Sequence, residues 1–546
     1  MKVIVIGGVA AGTKTAAKIK REDPFADVTL LTQSAHISYA TCGLPYYVGD
    51  VIHDQQSLVV HTPEDFAGLT GVQVKTLTEV TSVHRETKTV CAKSVQTGEE
   101  KEYSYDQLVI ATGARSVAPD IEGVNLPGVY QIHTLEDAVA VREAVDAGKA
   151  KRAVIVGGGF VGLEMAVNLA ARDVRVSVVE EADQILPGFD VEMAGFIENH
   201  LADHDIMVFT NTKVAAILGT DHVEKVKTGR RAMKADMVIL ATGDVPNTEF
   251  LKDSGIELLP NGTIKTDEHL RTNDEHIYAA GDCISVKNRI TGEDVWAPMG
   301  SLANVEGRIV GSNVCGGQES FPGTLGTSII ELPELNAAYS GLSEAEARQK
   351  GYEVVSALCV IDDKANFLPG FSNLIIKLIA DQATDQFLGL QVLGKGEVDK
   401  IVDIGAMALS MKAKVSDLKH LDLAYAPAFS TAIHPFSVAV NVLCNKMSGK
   451  LDSLTPAQYL DGEAEGWQVI DLSKRPMIPS GTYVELKSVK AGYDALSKSE
   501  PLLLVCTRGR RAFQAQTQLK ASGYENTKVL EGGLAMNQVN EEEEED

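Results

Sequence analysis

Two of the seven cysteines stand in sequence surroundings that suit sulfur chemistry. Cys42 lies in the segment Ser-Tyr-Ala-Thr-Cys-Gly-Leu-Pro-Tyr-Tyr, and Cys506 follows the apolar strand pattern Leu-Leu-Leu-Val. The spacing from Cys506 to Arg511 is C-x4-R, and a loop of this kind surrounds the sulfur with backbone N–H groups that favour a thiolate and then a persulfide. Both sulfurs are therefore candidates for covalent chemistry. The other five cysteines are interpreted as small buried hydrophobic residues: Cys91, Cys283, Cys315, Cys359 and Cys444.

A complete G-x-G-x-x-G fingerprint occupies Gly157, Gly159 and Gly162, between a predicted strand and a predicted helix. The first glycine permits a tight turn, the second admits a pyrophosphate, and the third lets helix and strand pack closely. Glu180 ends the next predicted strand, where a carboxylate accepts hydrogen bonds from a ribose 2′-hydroxyl and repels a 2′-phosphate. The sequence therefore predicts a nicotinamide site that favours NADH over NADPH.

The N-terminal glycine-rich turn is a second candidate for dinucleotide binding, although Val9 replaces the middle glycine of the fingerprint. Asp282, which follows another predicted strand, is placed to contact the ribityl chain of a flavin. Two dinucleotide sites on one chain suggest FAD at the first site and NAD(H) at the second. The candidate contacts to FAD are Gly7, Gly8, Ala11, Gly12, Gly281 and Asp282.

The charge balance limits the classes of partner. The 546 residues include 50 Lys and Arg against 75 Asp and Glu, a net charge of −25. Such a charge argues against non-specific nucleic-acid binding and against an anionic membrane surface, and no run reaches the ~18 apolar residues that a bilayer span needs. The apolar start is interpreted as a buried strand rather than a signal peptide. A small, odd number of cysteines favours a reducing, cytoplasmic location.

Six motifs occur in a fixed order: GGVAAG, TCGLPYYVGD, IATGA, GGGFVGLE, LATGDVPN and YAAGDC. Together they make residues 1 to about 445 resemble the flavin-dependent pyridine nucleotide-disulfide oxidoreductases. The alternation of strands and helices predicts an α/β fold. The resemblance implies two Rossmann-like domains, for FAD and NAD(H), an α+β dimerisation domain and a homodimer. It adds Thr112, Gly113 and Gly243 as cofactor contacts.

The predicted domain organisation follows from these motifs. The boundaries are 1–114 and 246–322 for the two parts of the FAD domain, 115–245 for the NAD(H) domain, 323–445 for the dimerisation domain, 446–462 for a linker, 463–540 for a C-terminal α/β domain and 541–546 for a solvated acidic tail.

The surroundings of Cys42 resemble the single-cysteine branch of this family. Two-cysteine members carry C-x4-C here, but this chain has Tyr46 at the second position. The segment looks most like that of the coenzyme A-disulfide reductases. By that resemblance, substrate contacts come from Lys18, Arg21, Ser38, Thr41 and Asn366, and Tyr425 of the partner subunit donates a proton near Cys42. No metal ligands are assigned.

One segment of the dimerisation domain departs from the family pattern. The usual Tyr-Tyr-Pro-Gly is Phe367-Leu368-Pro369-Gly370 in this chain. A tyrosine hydroxyl that could help in the site is therefore missing, which affects the expected substrate affinity rather than the redox centre.

The last ~85 residues resemble a rhodanese, a sulfane-sulfur carrier. A C-x5-R phosphatase loop is excluded because the sixth residue after Cys506 is Ala512. The strand Val-Ile-Asp-Leu and the Glu-Gly-Gly at 531–533 fit the rhodanese pattern, whereas the usual Asp-Val-Arg is Asp471-Leu472-Ser473. By this resemblance Cys506 carries sulfur and Arg511 completes its loop, although an inactive structural rhodanese remains open.

The combined pattern predicts an FAD-dependent NAD(P)H oxidoreductase that reduces coenzyme A persulfide, polysulfide or coenzyme A disulfide through Cys42, with sulfane sulfur delivered by the rhodanese domain. Two alternatives remain. One is an NADH oxidase or peroxidase in which Cys42 cycles through sulfenic acid; these enzymes carry a histidine where this chain has Ala10. The other is a persulfide carrier or sensor whose flavin rarely turns over.

Overall fold

The computed structural model describes residues 1–489 and 496–539, which form two compact units. The first unit comprises Met1–Ile185 and Ala202–Thr324. The second comprises Leu186–Leu201 together with the chain from Leu325 onward. Residues 186–201, which the sequence placed in the NAD(H) domain, thus belong to the second unit. The predicted acidic tail at 541–546 lies outside the described residues.

The first unit opens with a five-stranded parallel sheet whose strands are nearly continuous runs of buried Val, Ile and Leu, as expected for a sheet covered on both faces. In sheet order the strands are Ile277–Ala279, Gln107–Ile110, Lys2–Ile6, Asp27–Leu31 and Gln73–Lys75. Helices Ala10–Glu22 and Gly300–Val314 pack against each other here. A Cβ on Gly307 would lie 2.5 Å from the carbonyl oxygen of Ala11, so the close approach of the two helices requires this glycine.

A second parallel sheet of five strands forms the other half of this unit. In sheet order its strands are Met207–Phe209, Arg175–Val179, Arg152–Val156, Met237–Leu240 and Val129–Gln131. The associated helices are Leu135–Asp146 and Phe160–Ala170, whereas most of helix Val191–Asp203 belongs to the second unit. The two sheets are therefore the two Rossmann-like layers that the glycine fingerprints predicted.

Short antiparallel elements complete the first unit. Strands Ala114–Ser116 and Asp244–Pro246 pair as a two-stranded ribbon, and the predicted boundaries at 114/115 and 245/246 both fall within it. The remaining strands are Thr78–His84, Thr89–Ser94, Glu100–Ser104, Val214–Gly219, Val223–Thr228, Ala232–Lys234, Val286–Lys287 and Asp294–Val295. The remaining helical segments are Thr41–Gly43, Leu44–Val48, Gln55–Leu58, Pro63–Thr70 and Glu249–Leu251.

The second unit contains an antiparallel sheet with helices packed against it, an α+β arrangement. In sheet order the strands are Ser328–Leu332, Leu335–Gly341, Phe387–Gly394, Asn373–Asp381 and Val354–Asp362. The helices are Glu344–Gln349, Val398–Ser410, Val415–Leu418 and Pro435–Met447.

A parallel sheet closes the chain, in the order Ser453–Leu454, Thr527–Leu530, Leu502–Val505, Gln468–Asp471 and Thr482–Tyr483. Its helices are Pro456–Leu460, Leu486–Val489 and Arg510–Ala521, with a short turn at Gly533–Ala535. Residues 453–460, predicted to lie in a linker, instead supply the edge strand and a helix. Leu454 is fully buried in this strand, and Ser453 pairs with Val529.

A buried charge cluster connects the 186–201 segment to the antiparallel sheet. The Lys377 ammonium lies 2.9 Å from Asp190, 2.6 Å from Glu192 and 2.9 Å from Glu344. Burial opposes ionisation of Glu344, but the charge of Lys377 and hydrogen bonds from Ser356, Arg348 and Lys377 outweigh it and lower the pKa of Glu344 to about 2. The stability that this ionised carboxylate contributes is present above the usual carboxyl pKa and is lost as the pH falls towards 2.

We expect Lys377→Met to lower the free energy of unfolding by about 3–5 kcal/mol, because buried carboxylates would lose their counter-charge. Urea denaturation at pH 7 measures this loss. Lys395→Met is the matched control: its partner is Glu334, and the two side chains are 57% and 67% exposed, so a loss below about 1 kcal/mol is expected. Equal losses in the two variants would contradict the role of the buried cluster.

Candidate active site

The first glycine-rich turn is pressed against the end of the neighbouring strand. A Cβ on Gly7 would overlap with the carbonyl oxygen of Ala111, and Gly7 has a φ of +115° that favours glycine. A Cβ on Gly12 would overlap in turn with the carbonyl oxygen of Gly7. Helix Ala10–Glu22 begins directly after this turn, so its free N–H groups face the place where a pyrophosphate would bind. Val9 replaces the middle glycine of the fingerprint, and the tight turn forms nonetheless.

Two further strand ends border the same turn. The Thr112 hydroxyl donates to the carbonyl oxygen of Asn247 at 2.7 Å, and the Asn247 amide returns a hydrogen bond of 3.1 Å to the carbonyl oxygen of Thr112. Gly113 follows with a φ of +66°. Asn247 stands in the LATGDVPN motif, but its contact with Thr112 spans 135 residues and could not be read from local sequence.

Gly281 and Asp282 lie at the carboxyl end of the edge strand of this sheet. The Gly281 N–H donates to Glu306 at 2.7 Å, and Glu306 is buried in helix Gly300–Val314. Burial is the main cause that raises the pKa of Asp282 to about 6 and that of Glu306 to about 7. A carboxyl group at this position can hydrogen-bond the hydroxyls of a ribityl chain. The glycine cradle and the strand-end polar groups together fit a bound FAD.

We expect Gly12→Ala to reduce the FAD content of the purified protein below about a tenth of wild type, because the added methyl group overlaps with the turn that receives the pyrophosphate. Absorbance at flavin wavelengths against protein concentration measures this. Gly68→Ala is the control, since no atom lies within 4 Å of its added Cβ. Unchanged flavin content in a Gly12→Ala protein of native circular dichroism would exclude this turn as the FAD site.

The second glycine-rich turn has the same construction. A Cβ on Gly157 would overlap with the carbonyl oxygen of Ala241, and one on Gly162 would overlap with that of Gly157. In contrast, no atom lies within 4 Å of a Cβ built on Gly159, so space for a pyrophosphate is open beside it. Gly243, at the end of the adjacent strand, has a φ of +102° and is also open.

Glu180 is held at the mouth of this second turn. Its carboxylate accepts the Gly158 N–H at 2.6 Å and the Ala182 N–H at 2.7 Å. A carboxylate oxygen that takes one hydrogen bond can still accept another, so both oxygens remain available to ribose hydroxyls. The adjacent Glu181 instead points to solvent and pairs with Lys213 at 2.8 Å.

Cys42 lies in the turn Thr41–Gly43 and its residue is exposed. The segment before it is fixed to the first glycine-rich turn, because the Ser38 N–H donates to the carbonyl oxygen of Gly8 at 2.8 Å. Helix Gly300–Val314 begins beside the thiol: a Cβ built on Gly300 would lie 3.9 Å from Sγ of Cys42. The thiol therefore sits between two elements of the candidate FAD site.

Two arginines from the second Rossmann-like layer fix the short helix that follows Cys42. Arg142 donates to the carbonyl oxygen of Tyr47 at 2.7 Å and also lies over the Tyr47 ring. Arg172 donates to the carbonyl oxygen of Val48 at 3.3 Å. These contacts satisfy carbonyls that a helix leaves free at its C-terminal end. Sequence reasoning missed both residues, since each acts over more than 90 positions and carries no motif.

The candidate coenzyme A contacts of the first unit lie on two elements. Lys18 and Arg21 are on helix Ala10–Glu22, where Lys18 pairs with Glu22 and Arg21 is exposed. The Lys18 pairing is the main cause that lowers the pKa of Glu22. Ser38 and Thr41 are on the segment that precedes Cys42.

Asn366 and Tyr425 come together in the second unit. Asn366 lies in the connection 363–372 between two strands of the antiparallel sheet, and its neighbour Phe367 is 75% exposed. The Ala365 N–H donates to the carbonyl oxygen of Pro427 at 3.3 Å, which joins this connection to the segment that carries Tyr425. Asn366 and Tyr425 are both exposed.

Cys506 is buried at the start of a loop with many backbone hydrogen bonds. Its carbonyl oxygen accepts the Leu534 N–H at 3.0 Å, and Gly509 adopts a φ of +87° just before helix Arg510–Ala521. Arg511 donates to the carbonyl oxygens of Leu472 and Ser473 at 2.6 and 3.4 Å. Arg511 therefore holds the two residues that follow strand Gln468–Asp471. At this place Ser473 replaces the arginine of the usual Asp-Val-Arg pattern.

The comparison with known families finds a match that includes both glycine-rich turns. The pyridine nucleotide-disulphide oxidoreductase family matches residues 1–299, and its dimerisation domain matches residues 332–435. The chain belongs to this family and is an oxidoreductase and flavoprotein. The resemblance deduced from the six motifs is thereby confirmed.

Individual relatives align with between 81% and 98% of this chain. The NAD(P)H sulfur oxidoreductase (CoA-dependent) of Pyrococcus furiosus is 37% identical over 81% of this chain and 99% of its own length. A NAD-dependent persulfide reductase from A. fulgidus is 35% identical, with a TM-score of 0.94 over 98% of this chain and 100% of that chain. Reduced CoADR-RHD of Bacillus anthracis is 30% identical, with a TM-score of 0.93 over 98% and 97%. Within the described ranges, no helix is long and apolar enough to cross a membrane.

Proposed function

We propose that this protein uses NADH to reduce coenzyme A persulfide, polysulfide or coenzyme A disulfide at Cys42. The observation that carries the proposal is the position of the exposed thiol, tied through Ser38 and Gly8 to the turn that fits FAD. The 37% identity to a CoA-dependent NAD(P)H sulfur oxidoreductase supports this substrate class. The placement of Glu180 at the second turn supports NADH as the preferred donor.

The reaction at Cys42 is a thiol–disulfide exchange. The Cys42 thiolate attacks the sulfur attached to coenzyme A, forms a mixed disulfide with it and expels hydrosulfide, or coenzyme A thiol when the substrate is the disulfide. Bound FAD would pass the two electrons of NADH to this mixed disulfide. The mixed disulfide then separates into the Cys42 thiolate and coenzyme A thiol. With a persulfide, one NADH and one proton yield one thiol and one hydrogen sulfide.

The proposed substrate contacts come from both units. Lys18 and Arg21 would bind phosphates of coenzyme A, with Ser38 and Thr41 closer to the reacting sulfur. Tyr425 and Asn366 would act from the partner subunit of a homodimer, where the phenol of Tyr425 supplies a proton to the leaving sulfur.

We further propose that the C-terminal part of the chain, from strand Ser453–Leu454 onward, forms a rhodanese-like domain in which Cys506 receives sulfane sulfur and passes it to bound coenzyme A. The parallel sheet, the C-x4-R loop and the near-complete coverage by two solved structures support this assignment. Residues 490–495 and those after 539 lie outside the described part of the chain.

Cys42→Ser is expected to abolish NADH oxidation with coenzyme A persulfide, at least ~1000-fold below wild type, because the hydroxyl cannot form the mixed disulfide. Anaerobic stopped-flow absorbance of NADH measures the rate, and the flavin content should stay at the wild-type value. Cys91→Ser is the matched control, since Cys91 lies in the antiparallel strand Thr89–Ser94. Undiminished turnover by Cys42→Ser would refute the mechanism.

Cys506→Ala is expected to leave the reduction of preformed coenzyme A persulfide within about twofold of wild type and to lower, by ~10-fold or more, the rate supported by thiosulfate or polysulfide with coenzyme A. Hydrogen sulfide release with each donor measures the difference. If the variant released hydrogen sulfide from thiosulfate and polysulfide at the wild-type rate, Cys506 would have no part in the reaction.

The rate of NADH oxidation with a range of acceptors separates the alternative functions. Turnover with oxygen alone would indicate oxidase chemistry at Cys42. A lack of turnover with every acceptor tested would indicate a persulfide carrier or sensor.

A further inference from the structure

An ion pair joins the Cys506 loop to the antiparallel sheet. Arg508, two residues after Cys506, donates to the Asp362 carboxylate at 2.5 Å, and the side chains are 34% and 18% exposed. Asp362 is the last residue of strand Val354–Asp362. The partial burial of both groups makes this pair stronger than a fully exposed one.

A second anchor lies on the other side of the same loop. Glu531 is buried, and its carboxylate accepts the Leu358 N–H at 2.8 Å and the Lys446 ammonium at 2.6 Å. Glu531 begins the Glu-Gly-Gly segment, and a Cβ on Gly533 would overlap with the carbonyl oxygen of Cys506. The Cys506 loop and the adjoining Glu-Gly-Gly segment therefore contact strand Val354–Asp362 at two points, Asp362 and Leu358.

Asp362 stands at the base of the connection that carries Asn366. It pairs with Asn373 across the sheet, and the next residue, Asp363, closes the connection by accepting the Ser372 N–H at 2.8 Å. From there the Ala365 hydrogen bond to Pro427 leads to the Tyr425 segment. One continuous set of contacts thus connects the sulfur-transfer loop to two of the candidate substrate residues.

We propose that Asp362 and Arg508 are positioning residues that couple the Cys506 loop to the connection 363–372, which rests on the proposed function of Cys506 and Asn366. The pair holds the guanidinium of Arg508 beside the carboxylate of Asp362. A change in the loop when Cys506 takes up sulfur is then transmitted to the segment that carries Asn366. Arg510 remains the exposed cation of the loop, with no ion pair to any residue in the described ranges.

Hydrogen exchange of the FAD-loaded, full-length protein tests this coupling. Peptides that cover 363–372 and 506–511 are followed in wild type, Asp362→Asn and Arg508→Gln. Each variant should increase amide exchange in both segments by about threefold or more, since each removes one end of the pair. Arg510→Gln, which removes the same charge but no ion pair, should leave both segments at the wild-type rate.

A variant that exchanges the two charges provides a readout that loosened packing alone would not produce. The exchanged variant Asp362→Arg/Arg508→Asp should restore slow exchange in both segments.

Increased exchange confined to 506–511, or continued fast exchange in the variant with exchanged charges, would overturn the coupling. Neither readout requires turnover, so a failure of the coupling is distinguishable from a failure of persulfide reduction at Cys42.

Discussion

The close approach of backbone to backbone at the first glycine-rich turn is the constraint on which the candidate active site depends. A Cβ at Gly7 or Gly12 would occupy the space of a neighbouring carbonyl oxygen. Only glycine allows the strand, the turn and helix Ala10–Glu22 to meet at this distance. The Cys42 segment is attached to the same turn through Ser38 and Gly8, so the position of the thiol follows from the position of the turn.

The second unit is held together by a different kind of interaction. Charged groups join its parts: Lys377 with three carboxylates, Glu531 with Lys446, and Arg508 with Asp362. Buried or partly buried ion pairs require defined geometry, because an unpaired charge in such a place is costly. The C-terminal sheet is consequently fixed by contacts of the Cys506 loop, and not only by the chain that leads to it.

Much of the fold could be predicted because its signals are local. Strands such as Lys2–Ile6 and Arg152–Val156 are apolar runs followed by glycines, a pattern that identifies buried parallel strands without any tertiary information. The predicted linker at 446–462 is wrong for residues 453–460, which contain a strand and a helix. Its strand Ser453–Leu454 has two residues, and so short a segment becomes a strand only because Thr527–Leu530 offers a partner.

The sequence alone determined the class of oxidoreductase, and it predicted the two glycine-rich turns and the two candidate cysteines, since each depends on residue types at short, fixed spacing. The tertiary structure decided which distant residues support them. Arg142 and Arg172 reach the helix after Cys42 over more than 90 positions, and Arg508 finds Asp362 over 146. A single charged residue has no spacing pattern of its own, and its partner is set only when the packed backbone brings the two together.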